Sequence, residues 1–235
     1  MKVQLIAETA INIPELSDLG YEPHPLDEES ADELAEFAGR NCYQSFSRPN
    51  PATGTNEKYL QHILDVGHES VLEHASATFY IEASRSVLTE LERHRHLSFS
   101  VLSQRYVDPV PYGIHLPPAI DQLPDAQRQE AFAVLQSAQQ DSAMHYDQLL
   151  NIFEGQGMPR KRSREAARAV LPNMSNSPMV VTGNHRTWRY VIKARWHEAA
   201  DAEIRELAGE LLTQLREIAP NTYQDIPPYP YNYGG

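Results

Sequence analysis

The run Arg93-His94-Arg95-His96-Leu97-Ser98-Phe99-Ser100-Val101-Leu102-Ser103-Gln104-Arg105-Tyr106 crowds three arginines and two histidines into a chain whose formal net charge is −12. Like charges packed this closely repel one another, and an anion among them removes the cost. The run therefore points to a phosphate or nucleotide ligand. Ser103 and Arg105 are two residues apart, so on a strand they face the same way and make a compact oxyanion site. Arg93, His94 and Arg95 sit at a predicted helix-to-loop junction, cannot share one face, and must reach different groups. An isolated Arg-His-Arg is more often a solvated basic turn; the full spacing through Ser103 and Arg105 is far more specific.

A second segment, Gly67-His68-Glu69-Ser70-Val71-Leu72-Glu73-His74, superficially suggests a metalloprotease. That chemistry needs His-Glu-x-x-His, with both imidazoles on one helical face. His68 and His74 are six apart, roughly 240° around a helix. They cannot share a metal in that way, and no metal site is expected. The plain alternative is a helix cap, Ser70 with Glu73 three residues on. The third segment joins Arg164 and Arg168, one helical turn apart, to Asn184, His185, Arg186, Tyr190 and Arg195. Asn184 and Arg195 are eleven apart, about three turns with roughly 20° of drift, and Arg186 and Tyr190 form another one-turn pair. Without the larger pattern these would be surface arginines on amphipathic helices.

Composition narrows the choices. With 20 Lys+Arg against 32 Asp+Glu, general nucleic-acid binding, which feeds on many basic contacts to phosphates, is not expected. Lysine occurs only as Lys2, Lys58, Lys161 and Lys193; every other fixed cation is arginine, whose planar fork suits bidentate recognition of small anions. The single cysteine, Cys42, excludes an internal disulfide and fits a reducing compartment, so the cytoplasm is the expected location. No run approaches the ~18 apolar residues of a membrane span, and the opening residues do not resemble a signal peptide.

The elements that must position these groups follow from periodicity. A strand is expected at 3–8, then a Pro-bearing loop to about 29, helices at 31–42 and 56–66 (stopped by Gly67), and an extended stretch at 78–82. A helix from 84 to about 94 should release the Arg-His run as a loop, with a strand returning at 103–107. A long helix at 125–153 carries Phe132, Leu135, Ala138, Ala143, Tyr146 and Leu149 roughly on one side. Another, at 160–171, ends at Pro172. A strand at 179–182 and a helical region at 185–218, bent near Glu198, complete the pattern, with a Tyr/Pro-rich tail from about 221 that could dock or be loose. Without repeats or linkers, one α+β domain over 1–235 is expected.

These segments, in this order, resemble the flavin-dependent thymidylate synthases from about Phe37 to about Pro220. The resemblance rests on Gly-His-x-Ser-x-x-Glu-His, on Arg-His-Arg, seven residues, Ser, one residue, Arg, and on Arg168-Ala169-Val170-Leu171-Pro172 followed by Asn184, Arg186 and Arg195. It implies a mostly antiparallel sheet flanked by long helices, a homotetramer with shared sites, and methylation of dUMP to dTMP. FAD is the implied cofactor, with NADPH and 5,10-methylenetetrahydrofolate as co-substrates. By the same resemblance Arg195 holds the uracil and favours its ionisation. Glu90, Leu91, Glu92, Arg93, Val101, Leu102, Ser103, Gln104, Arg105, Arg168 and Arg195 form the dUMP set. His68, Ser70, Arg93, His94, Arg95, Asn184, His185, Arg186 and Tyr190 form the FAD set. Val101 stands where many relatives carry Glu or Gln, and Ala199 where a His is common. The flavin-independent synthase needs a cysteine in a Pro-Cys-His setting; Cys42 is followed by Tyr43. A nucleotide-binding module without chemistry and a histidine-based metal hydrolase are the competing classes; only the synthase would be yellow.

Overall fold

The computed structural model describes residues 1–24 and 30–232. The predicted loop through residues 25–29 and the last three residues of the predicted tail lie outside them. Among the described residues the chain is α+β, with a four-stranded antiparallel sheet of order β1-β2-β4-β3. The strands are β1 (Lys2–Glu8), β2 (Ser76–Ser84), β3 (Ser98–Val101) and β4 (Asn176–Asn184). Burial alternates along β2 and β4, with Ala77, Phe79, Ile81 and Ala83 on one and Ser177, Met179, Val181 and Gly183 on the other facing inward. That period of two is what a half-buried strand imposes on its sequence.

The helices are α1 (Ile13–Asp18), α2 (Ser30–Tyr43), α3 (Asn56–Asp65), α4 (Arg85–Leu91), α5 (Asp125–Gly155), α6 (Arg160–Ala167), α7 (His185–Arg195) and α8 (Ala202–Ile218). No helix among the described residues is long and apolar enough to cross a membrane. Several sequence expectations change. Residues 13–18, expected in a loop, form the short α1, with Pro14 in its first turn, where its missing N–H costs nothing. The strand expected at 103–107 is instead a turn: Tyr106 N and Val107 N both donate to Ser103 O, at 3.0 and 2.9 Å. Ser103 and Arg105 therefore do not share a strand face. The strand lies earlier, at β3. The region 185–218 is two helices, because Trp196 leaves the helical conformation at ψ 61°.

The chain divides into two compact units, and β2 and β4 each run from one into the other. The first holds residues 1–2, 81–93 and 99–180. Its centre joins Tyr146 and Leu150 of α5 to Ala167 of α6, with Leu149, Val170 and Leu171 packed against them. Of α5, only Tyr146 and Leu150 are buried; Phe132, Val134, Met144 and Ile152 are exposed. Of the side predicted for α5, Tyr146 is buried, Leu135, Ala143 and Leu149 are partly buried, and Phe132 and Ala138 are exposed.

The second unit holds the described residues of 3–80, 94–98 and 181–235. Here α2 and α3 pack through Ala35, Tyr59, Leu60 and Ile63 against Val71 and Leu72. Gly67 closes α3 at φ +71°, a conformation that only glycine adopts without strain. Trp188 of α7 is fully buried, edge-on to Phe79 at 5.2 Å, and its indole N–H donates to Ala77 O at 3.0 Å. The tail is not loose as far as Tyr231. Tyr223 and Ile226 are buried, Trp196 Nε1 donates to Pro227 O, and Tyr231 N donates to Trp196 O.

Gly183 sits where this unit is tightest. A Cβ there would lie 2.5 Å from Leu97 Cδ2 and 3.3 Å from the Trp188 indole nitrogen. Leu97 is buried and anchors the Arg-His turn, its N–H donating to His94 O at 3.1 Å. Gly183→Ala is therefore expected to cost about 1–3 kcal/mol by overpacking. Urea unfolding checks it; unchanged stability would mean that Leu97 swings aside freely.

Candidate active site

In the second unit the structure brings three of the predicted residues together, from segments 101 positions apart. Arg195, the last residue of α7, donates from Nε to Nε2 of His94 at 3.1 Å. The His94 ring is also edge-on to Tyr190, with centroids 5.5 Å apart. His94 is buried, and its Nδ1 has no hydrogen-bond partner among the described residues. Burial, reinforced by the Arg195 charge, lowers its pKa to about 4. At neutral pH it is an uncharged ring that accepts at Nε2 and carries its proton on Nδ1.

Asn184 starts α7 as its N-cap, with Oδ1 accepting from Thr187 N at 2.8 Å. The eleven-residue spacing to Arg195 is thus the length of one capped helix. Arg186 is exposed and paired with Glu73 at 2.5 Å, a solvent-facing contact of small worth. The capping box expected at Ser70 is absent: residues Glu69–Glu73 form a 3-10 turn entered from His68, and Ser70 is exposed. His68 and Arg95 are exposed too, and Arg95 has no hydrogen bond or ion pair among the described residues. At the departure noted at position 199, Ala199 N donates to His197 Nδ1 at 3.1 Å.

His185 lies in the core, 2% exposed, with Nδ1 3.0 Å from the Tyr223 hydroxyl. Burial lowers its pKa to about 4. The unfolded chain binds this proton near pH 6.5, the folded chain only near 4, so stability falls as pH drops between those values. At 1.36 kcal/mol per unit the loss by pH 4 is about 3 kcal/mol. The unfolding free energy of wild type relative to His185→Asn should fall by that amount between pH 7 and pH 4. Parallel profiles would show that the ring protonates in place.

In the first unit, Ser84 caps α4 by accepting from Val87 N at 3.1 Å. Leu91 is fully buried, so its side chain is core; Glu92 and Arg93 are exposed beyond it. Val101 ends β3, and Leu102 N donates to Pro178 O at 2.9 Å. The turn at 103–107 follows, with Gln104 buried and Arg105 exposed. Sequence reasoning missed what surrounds this turn. Arg164 of α6 donates to Tyr106 O, and Lys161 Nζ lies 4.7 Å from the Tyr106 ring centroid, with Arg105 at 5.8 Å. The hydrogen bond and charge of Lys161 lower the Tyr106 pKa. Arg168 is exposed at the C-cap of α6 and has no side-chain partner among the described residues.

Each unit by itself offers donors of the kind that a flavin dinucleotide or a nucleotide monophosphate would need. Arg93, Arg95 and Arg168 are exposed guanidiniums without carboxylate partners among the described residues, as oxyanion ligands require. The buried, unpartnered Nδ1 of His94 calls for an acceptor. Cys42, by contrast, is an exposed residue near the end of α2 whose thiol lies 3.5 Å from Ala38 O. It has no histidine in the role of base.

Comparison with known proteins places the chain in a family. Residues 26–221 match the family model described as thymidylate synthase complementing protein. The chain is 70% identical, over its whole length and all of the relative, to the probable flavin-dependent thymidylate synthase of Mycobacterium phage D29. It is 46% identical to the flavin-dependent thymidylate synthase of Mycobacteroides abscessus, over 96% of this chain and 90% of that one. Among solved structures, a UMP/dUMP methylase, PolB, from Streptomyces cacaoi, bound with 5-Br dUMP, superposes with a TM-score of 0.74 at 22% identity, over 97% of this chain and 95% of that one, a likeness of fold. Matched along nearly its whole length in this way, the chain belongs to the flavin-dependent thymidylate synthase family.

Proposed function

We propose that the protein makes dTMP by reductive methylation of dUMP, with 5,10-methylenetetrahydrofolate as carbon donor and NADPH as reductant, as a step of de novo dTMP synthesis in the cytoplasm. The end-to-end match to flavin-dependent synthases carries this reading. Uracil C5 must become nucleophilic to take a one-carbon unit. Arg195 supplies the means: a guanidinium aimed at the base stabilises the negative charge that develops when N3 loses its proton. No thiol attack is required. Ser103, Arg105 and Arg168 anchor the phosphate, helped by Gln104 and by the backbone of Leu91, Val101 and Leu102. Arg93 and Arg95, with Ser70, Asn184, Arg186 and Tyr190, hold FAD, and His68 and His94 lie beside its ring system. Bound FAD, once reduced by NADPH, would supply the hydride that completes the methyl group.

The active form in this reading is a homotetramer whose sites draw on more than one subunit. Val134 and Ile152, exposed on one face of α5 a whole number of turns apart, support self-association. Two measurements test the proposal. The purified protein should be yellow and should form dTMP from dUMP only with both methylenetetrahydrofolate and NADPH present; a colourless, inactive protein overturns it. Hybrids of Arg95→Ala and Arg195→Ala chains should regain activity that neither variant has alone. Absence of any gain under conditions of subunit exchange would mean that each site is built within one chain.

A further inference from the structure

We propose that His94 is a positioning residue for Arg195, its Nε2 taking the Arg195 Nε–H and so fixing the plane in which the guanidinium meets the uracil. The inference rests on the role given to Arg195 above and adds to it the group that aims it.

Arg195 ends α7, and a free arginine side chain there would sample many rotamers, at an ordering cost of about 1.5–2 kcal/mol. The 3.1 Å bond to His94 removes much of that freedom before any ligand arrives. His94 can serve because it is itself held. Its ring is buried against Tyr190, and its carbonyl accepts from Leu97 N, with Leu97 seated over Gly183. With Nε held, the guanidinium cannot turn freely about its own bonds, and the planar group keeps one orientation. The pair also fixes the tautomer. An imidazolium has no acceptor, so His94 must be neutral, with its proton on Nδ1; burial and the Arg195 charge both favour that form.

Two conservative substitutions divide the ring's two nitrogens. In His94→Gln the amide oxygen can reach the Nε2 position and still accept from Arg195. In His94→Asn the shorter amide reaches only the Nδ1 position. If His94 positions Arg195, His94→Asn loses at least tenfold in kcat per bound FAD at saturating dUMP, and His94→Gln recovers that value to within about fivefold of wild type. On an Arg195→Ala background, His94→Asn should then cost less than twofold more. Equal losses in the Gln and Asn variants, or losses that multiply with an impaired Arg195→Ala, overturn the proposal alone. Wild-type turnover by Arg195→Ala would overturn the role of Arg195 and this inference with it. Histidine side-chain nitrogen NMR of the wild-type holoenzyme decides the matter even if the variants fold poorly. The expected spectrum has an unprotonated Nε2 and a protonated Nδ1 for His94 at neutral pH; a protonated Nε2 excludes the pairing.

Discussion

Arg195→Ala is expected to keep its FAD and to lose about a hundredfold or more in turnover at saturating dUMP. Removing one preorganised donor to a developing anion costs about 3 kcal/mol of transition-state stabilisation. The side chain is well placed to be that donor. It is half-buried at the end of α7, and its Nε donates to the neutral ring of His94. Arg105→Ala should behave differently. Arg105 is exposed in the turn after Ser103, and its loss should appear first as weaker dUMP binding, recoverable by saturation. Flavin spectra, dUMP titrations and saturated rates of the two variants separate the roles. Should Arg195→Ala turn over normally once dUMP is saturating, the residue only binds, and the account of base activation fails.

What the sequence made legible was each element's local chemistry. Residues 2–8, 30–43 and 56–65 fold much as their periodicity implies, because alternation or an apolar stripe with a glycine stop is a local signal. The failures are equally physical. Ser103, Arg105 and Val107 alternate with other residues as a strand would, yet two N–H groups converge on Ser103 O and close a turn. The six-residue α1 is too short to show a period. On α5 the periodicity was a poor guide: of the six residues it put on one side only Tyr146 is buried, and Phe132 and Ala138 are exposed. The same limit applies to the site. Spacing singled out His94, Tyr190 and Arg195; only the fold brings His94 to the end of a helix 101 residues away. Spacing did not single out Arg189. Its position, four after buried His185 and three before buried Ile192, was the available signal that it faces inward.

Arg189→Met should destabilise the protein by about 3 kcal/mol. The guanidinium is fully buried and donates to both Asp225 oxygens, at 2.7 and 2.8 Å, to Thr222 O, and to Glu69 Oε1 at 3.4 Å. It thus ties α7 to the turn that carries Ser70 and to the chain beyond α8. Breaking a buried ion pair from one side typically costs about 3–5 kcal/mol, since the remaining charge is stranded. The low end applies because Asp225 is 27% exposed at its side chain and keeps Lys193 at 3.4 Å. Burial alone would raise the Asp225 pKa, but the hydrogen bonds and charge of Arg189, with Lys193, hold it below its ordinary value. A carboxylate so held stabilises the fold above its unfolded pKa and loses that contribution as pH falls through the folded one. The stability gap between wild type and Arg189→Met should therefore narrow at acid pH, where Asp225 is protonated in both. Denaturant unfolding at pH 7 and near pH 3 measures the gap directly. A loss below about 1 kcal/mol at pH 7 would place this network among solvated surface pairs, and the tail would then need some other anchor.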